Sequence, residues 1–472
     1  MTRPDQLSVR KRARLRRRRN ERGIALVMVL GAVAVLTVML AEFQEETSAE
    51  LSSALADRDS VQAEYFAKSA VNLSRLLIAS EPTIRQAMAP LFMMMRRTPP
   101  QLPVWEFSDR ILGAFNDEES SKDFAATSGL DLSLGKNLGL KGGRFEVVIV
   151  DEDAKINVNL GASNEIAHIR LAKQLMSSMA PIQWNPLFEQ KDEKGNLNDR
   201  LTICSSVIDW ADVDENRFNC DLTQSASGGN AVEDYGYYQY LPRPYRIKNA
   251  PYDSLEELHV VRGVTDEFWT AIVDPEPMSP KKRNFTVWGQ GTVNINSANA
   301  LTLYSIVCSG APQAELCTDP AQMQMFVMGV TMAQGITMGA PIFGTPADFV
   351  ATMKGQGMLG PLLTGMGMKP VRFQSESEFA KSISTESKMF SIYAVGVVKG
   401  YKRETRTSIH AVADFRSAPS ITGPAPSAQG QPGAAPTSTA GQSGTTPSND
   451  PNAINAAMLP STGGTIVYWQ IE

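Results

Sequence analysis

The sequence predicts an α+β fold, in which a long N-terminal helix packs on a small antiparallel sheet and a large helical domain is inserted between the sheet strands. Three observations predict it. Apolar residues recur at mostly helical spacing from Ile24 to Ser80. The β-branched run "RFEVVIV" (Arg144–Val150) lies far from two later ones, "MFSIYAVGVV" (Met389–Val398) and "RETRTSIHAVADF" (Arg403–Phe415), with a mostly helical pattern between them. A last strand pattern, "TIVYWQIE" (Thr465–Glu472), follows a stretch too rich in Pro, Gly, Ser, Thr and Ala to bury a core.

The helix is the clearest element. Ile24–Ala41 is an eighteen-residue apolar run broken only by Thr37, near the minimum for a membrane span. No Pro or Gly interrupts Glu42–Ser80, where Leu51, Ala54, Leu55, Val61, Tyr65, Val71, Leu73, Leu76 and Leu77 form an apolar stripe. One helix from Ile24 to Ser80 would be about 85 Å long at 1.5 Å per residue. Its first half suits lipid, and its second half should lie on something folded. Ten Lys/Arg and two acids occupy Met1–Gly23, whereas Glu42, Glu45 and Glu46 follow the apolar run. The positive-inside rule then makes this a single-pass inner-membrane protein, its leader cytoplasmic and its bulk exported. "MLAEFQEE" lacks the small-x-small site of a cleaved secretory signal, so the span is expected to stay. Taking the leader from the whole chain's 45 basic and 50 acidic residues leaves 35 and 48, a formal −13. So acidic an exported part is a poor partner for nucleic acid.

The rest divides by composition. Residues 1–23 are the basic leader and 24–80 the stem helix. Residues 81–156 begin the sheet core, with Pro82, Pro90 and "RRTPPQLP" (Arg96–Pro103) as expected breaks. Residues 157–368 are the inserted helical domain. Residues 369–416 return to the sheet, with "KGYK" (Lys399–Lys402) as a hairpin turn. Residues 417–464 are a Pro/Gly/Ser-rich loop and 465–472 a final strand. An ordered strand beyond such a loop makes the loop an insertion within the sheet.

A basic leader ending in Gly23, an uncut apolar helix and a small sheet beyond it together resemble the type IV pilin superfamily. In that superfamily a prepilin peptidase cuts after the glycine, which implies Gly23 and Ile24 as the processing site and a methylated Ile24. A glycine would leave an extended, accessible backbone there. Most members carry Glu five residues after the glycine, where this chain has Met28. An acid in lipid costs roughly 2.5–3.5 kcal/mol, offset in the superfamily by the free amine of a neighbouring subunit. Its absence resembles the K branch of the minor pseudopilins of type II secretion, which caps the pseudopilus. Six further stretches resemble that branch in order: "DEDAKINVN" (Asp151–Asn159), "SSVIDWADVDENR" (Ser205–Arg217), "NAVEDYGYY" (Asn230–Tyr238, with Asn230 and Val232 as departures), "YRIKNAPYDSLEELHVVRGVTDEFW" (Tyr245–Trp269), "VNINSANALTLYSI" (Val293–Ile306) and "VYWQIE" (Val467–Glu472). The resemblance implies a non-catalytic subunit of a Gram-negative inner membrane with a periplasmic bulk. Its implied partners are the other minor pseudopilins I, J and H, the prepilin peptidase, and the secretin or secreted cargo.

Two alternatives stay open: a membrane-anchored helix–hairpin–helix protein for DNA uptake, built on Asn249–Trp269, or a tip minor pilin of a type IV pilus. The acidic exported part opposes the first, and Met28 with the helical insertion opposes the second.

Candidate sites are few. The sequence holds no nucleophile elbow, HExxH or P-loop, and His168, His259 and His410 lie far apart, so no enzyme is expected. Cys204, Cys220, Cys308 and Cys317 form two close pairs in an exported region, read as disulfides Cys204–Cys220 and Cys308–Cys317 or as buried thiols. Asp209, Asp212, Asp214 and Glu215 cluster, with Glu233 and Asp234 one loop on. Calcium takes six to eight oxygens, and the resemblance implies calcium on Asp212, Asp214, Glu233 and Asp234. A helix cap or a solvated acidic turn are the plainer readings. The methionines of Met323–Met368 read as core filling or as a soft contact surface.

Overall fold

The computed structural model describes residues 6–94, 98–116, 142–189, 197–221, 235–337, 340–357, 359–400, 403–419 and 462–471, with single positions 122, 126, 191 and 195. Helix α1 (Gln6–Met94) takes up the first 89 of them, about 130 Å at 1.5 Å per residue. It extends the expected helix at both ends. Gly23 was expected in extended backbone and is instead helical. A lone glycine costs only about 1 kcal/mol against alanine in a helix, and strong helix formers flank it. At the far end α1 passes through Pro82 and Pro90, expected as breaks. A proline removes one helix bond and costs about 3 kcal/mol, so packing must hold this end. Ile78 and Ala79 are buried. Glu81, also buried, accepts the Leu102 N–H at 2.9 Å and faces Arg85 at 3.3 Å.

The strands are β1 (Gly143–Asp151), β2 (Ile156–Asn157), β3 (Phe285–Thr286), β4 (Val293–Asn294), β5 (Ile383–Ser384), β6 (Met389–Lys399), β7 (Glu404–Asp414) and β8 (Thr465–Ile471). The main sheet is antiparallel in the order β1-β6-β7-β8. β7 and β8 meet at Asp414↔Thr465, so residues 415–464 form an insertion between paired strands, as expected. Two short parallel pairs, β2 with β3 and β4 with β5, tie the helical block to the chain around the sheet. The fold class is the one the sequence predicts.

The stem seats on the sheet through small residues. Ala63, Phe66, Ala67, Ala70, Val71 and Ile78 are buried against Phe145, Ile149, Phe390, Ile392, Ala394 and Ala411. The stripe read from bulk is half right: Val71 is buried here and Leu73 and Leu77 pack against this core, but Leu51, Val61, Tyr65 and Leu76 are exposed. The reason is distance. A Cβ on Gly396 would lie 1.8 Å from the Ala63 carbonyl oxygen and 2.8 Å from the Ala67 nitrogen. Helix and strand backbones therefore touch at Gly396, and only alanines fit on the facing side.

A second core fills the helical block. Helices Glu165–Met179, Arg200–Ala211 and Ala300–Gly310 start at Asn164, Asp199 and Asn299, whose side chains accept the N–H groups of Ala167, Thr202 and Thr302.

Candidate functional site

The base of the stem is bare. Among the described residues one helix, Gly23–Met94, is long and apolar enough to cross a membrane. Ile24 is 61% exposed and Met28 70%. A Cβ on Gly23 would meet nothing within 4 Å, so neither packing nor a turn within the described residues calls for glycine there. Every side chain from Ile24 to Glu50 is exposed, a surface that only lipid or other chains can cover.

The acidic loop is held at its start. Helix Arg200–Ala211 ends at Asp212. Buried Asp209 accepts the Phe218 N–H at 2.8 Å, and the Cys204–Cys220 disulfide closes the same loop. Asp214 accepts the Asn216 N–H at 2.7 Å, and its carbonyl takes the Asn249 amide at 3.0 Å. Asp212 is buried and Asp214 exposed. Glu233 and Asp234 lie outside the described residues, and no group of three His, Cys, Asp or Glu suited to a metal occurs among the described ones. The second pairing is Cys308–Cys317, so both sequence-read disulfides are present.

The sequence reading gave "DEDAKINVN" no role, yet it forms the hub between sheet and helical block. Asp153 accepts the N–H groups of Gln290 (2.8 Å), Lys388 (2.7 Å) and Met389 (3.1 Å), with the Gln290 amide at 3.0 Å. Glu152 pairs with buried Lys155 at 3.1 Å and accepts the Thr286 hydroxyl at 2.6 Å. Asp151 accepts the Ser387 hydroxyl at 2.5 Å, and Ser387 also takes the Asn294 amide at 2.7 Å. Gln101, just after the stem, brackets Ser387 with two backbone bonds of 2.9 and 2.6 Å. Asn159 accepts the Tyr252 N–H and donates to the Tyr252 and Val287 carbonyls. Stem end, β1, β6 and helical block thus meet on one motif.

Burial and the neighbouring Asp153 charge push Asp151 up to about 8. Burial would also raise Glu152, but Lys155 and its hydroxyl donors more than offset this and hold it low. Asp151 stays protonated in the folded state well above its unfolded value of 3.8. Between those values the native state binds the extra proton, so stability falls as pH rises from about 4 to about 8 and levels beyond. Asp151→Asn should remove this fall. Melting curves are expected to show the variant gaining on the parent by a few kcal/mol from acid to pH 8, and parallel curves would refute the account.

The hairpin candidate is smaller than expected. Leu255–Val260 is a 3₁₀ turn, not an α-helix, and Glu257 accepts the N–H groups of Asp253 and Ser254. Gly263 turns the chain at φ +84, where a Cβ would strike Ile203 at 2.5 Å. The second arm is Asp266–Phe268 continued by a wide turn, Trp269–Val273. Leu255, Leu258, Val264 and Phe268 are core residues. They shorten both arms, because the hairpin serves packing. In the Met-rich segment Met353 and Met368 are buried, whereas Met328, Met332 and Met366 are exposed.

No protein-family model matches the chain. No curated protein matches it. Among solved structures it is similar to a chain of the GspK-GspI-GspJ complex from the enterotoxigenic Escherichia coli Type 2 Secretion System, at 14% identity and a TM-score of 0.40, covering 76% of this chain and 92% of that one. So low a score decides nothing about the role of this chain.

The hub was hidden from sequence reasoning because Asp151–Asp153 entered only as part of a motif resemblance, with no partners assigned to them. The signal that marks them is position: they follow the fully buried end of a strand directly, and Lys155 sits at the spacing that pairs with Glu152.

Proposed function

We propose that this chain is a non-catalytic minor pseudopilin at the tip of a type II secretion pseudopilus, cut after Gly23 and assembled through its stem with other minor pseudopilins to drive export across the outer membrane. The observation that carries the reading is the junction at Gly23. A glycine without a packing role stands between a strongly basic leader and a bare apolar helix whose far half is seated on a sheet. Met28 supports the tip position, since a stem without an acid offers no partner to the amine of a further subunit. The six motif resemblances support the branch, and the hub ties three of them together physically, because Asn159 bonds to Tyr252 and Ser387 links Asp151 to Asn294. Partners by this reading are the minor pseudopilins I, J and H, the prepilin peptidase in the inner membrane, and the secretin or cargo.

The test is N-terminal sequencing of the chain recovered from membranes with and without the prepilin peptidase. Ile24 is expected as the first residue with it and the uncut leader without it. A leader retained in both overturns the reading.

The same reading puts calcium on Asp212, Asp214, Glu233 and Asp234. Calcium at a hundredfold excess over its Kd should stabilise the chain by about 2.7 kcal/mol. The rise in melting temperature should vanish with a chelator and in Asp214→Ala, and a melting curve indifferent to calcium removes the metal from the proposal.

A further inference from the structure

The two edges of the main sheet differ. At β1 the side chain of Asn116 occupies the edge, donating to the Phe145 carbonyl at 2.6 Å and accepting its N–H at 2.9 Å. Among the described residues nothing pairs with the outer edge of β8. Ile466, Val467, Trp469 and Ile471 of β8 are 36–46% exposed. An apolar edge strand left open in this way is a template for one more strand.

A cleft of about 560 Å³ reaches that edge. It lies on the sheet face away from the stem and runs from Tyr393 on β6 past His410 on β7 to Tyr468 and Gln470 on β8. Its floor is an aromatic row: Tyr393 stacks on His410 at 4.2 Å, His410 meets Tyr468 at 5.1 Å, and Trp288 closes on Tyr468 at 5.7 Å. Burial lowers the His410 pKa, so this row is uncharged at neutral pH. The cations of the cleft are committed, Lys155 to Glu152 and Arg283 to Asp274 and Glu256. The rim is acidic in balance: Asp253 and Glu256, 88% and 58% exposed, pair with Lys248 at 2.8 Å and Arg283 at 3.3 Å, but those two cations are shared with Glu257 and Asp274, so acids outnumber them.

We propose that the open edge of β8 and this cleft together receive an extended segment of another protein, with basic side chains at alternate positions. Backbone bonds to β8 would supply the affinity, and every second side chain of the guest would fall beside Tyr468 and Gln470, over aromatic faces and toward the acidic rim. A second copy of this chain does not fit. β8 carries no Lys or Arg, and pairing two β8 edges would bring two acidic rims together. Residues 420–461 do not fit either, because they contain seven prolines and no Lys or Arg. The inference does not depend on the tip reading, since it uses only the sheet edge and the cleft.

The experiment uses the full chain in detergent micelles and short capped peptides. A peptide alternating valine and lysine should bind, and should slow hydrogen exchange at the amides of residues 465–471. The same peptide N-methylated on alternate residues, and one alternating valine and glutamate, should each bind at least tenfold more weakly. Glu256→Gln and Asp253→Asn, which each break one exposed ion pair, should weaken the lysine peptide with little change in the melting curve. Equal binding of the lysine and glutamate peptides, protection elsewhere than β8, indifference to N-methylation, or pairing of the chain with itself through β8 would each overturn the proposal.

Discussion

Replacing Gly396 with valine is expected to unseat the stem from the sheet. The first added carbon would stand 1.8 Å from the Ala63 carbonyl oxygen, well inside any contact distance, and the obstructing atoms are helix backbone that cannot rotate away. The stem would have to move outward, opening the layer in which Ala63, Phe66, Ala67 and Ala70 meet Ile392 and Ala394. Overpacking of a core ordinarily costs about 1–3 kcal/mol; a backbone collision should exceed that, at least about 3 kcal/mol out of a typical 5–15. Urea denaturation of the full chain in micelles should show a large drop in midpoint. Gly335→Ala is the control. It lies exposed in helix Pro320–Thr337 with nothing within 4 Å, and should be neutral or stabilising by about 0.5–1 kcal/mol. Equal behaviour of the two variants would refute the close approach of stem and strand.

Asp153→Ala should be the second large loss. The carboxylate is 1% exposed and accepts three backbone N–H groups and one side-chain amide. Alanine leaves the buried Met389 N–H without a partner and strips the half-buried Lys388 N–H and the two groups of exposed Gln290, so a loss of about 2–4 kcal/mol is expected. The donors belong to Gln290 in the helical block and to Lys388 and Met389 at the head of β6, so the damage should concentrate between block and sheet. Limited proteolysis is the direct reading: the variant should be cut between residues 285 and 390 under conditions that leave the parent whole. A variant that melts lower but keeps the parent's cleavage pattern would mean that the hub stabilises the fold without holding the two cores together.

Much of the architecture was legible because it rests on periodicity. β1, β6, β7 and β8 alternate or run β-branched, and the order of the patterns alone placed a helical block inside a sheet. Both disulfides were legible from the closeness in sequence of each cysteine pair in a chain read as exported. The stem's contact face was legible only in part. Reading by bulk rightly takes Val71, Leu73 and Leu77, but it also takes the exposed Leu51, Val61, Tyr65 and Leu76 and passes over the alanines that a seat limited by backbone contact selects. Pro82 misled for a related reason: local propensity marks a break, and tertiary packing around Ile78, Ala79 and Glu81 overrides it, whereas Pro90 lies exposed beyond that packing. At Gly23 and Met28 the structure adds helical backbone and exposure to what residue type along one helix suggests. The candidate site was not legible at Asp151–Asp153, whose partners, Lys155 apart, lie more than a hundred residues away.

Arg75 gives the segment between β7 and β8 a property of its own. Its guanidinium binds the Gly463 and Gly464 carbonyls, each at 2.8 Å, and so fixes the return of the chain just before β8. Departure and re-entry are both pinned, at Asp414↔Thr465 and at Arg75. Doubling the length of that excursion would add only about 0.6 kcal/mol of closure entropy. The position is a natural port for cargo: a tag, a fluorescent reporter or a whole foreign domain could be spliced in there while stem, sheet and hub stay as they are.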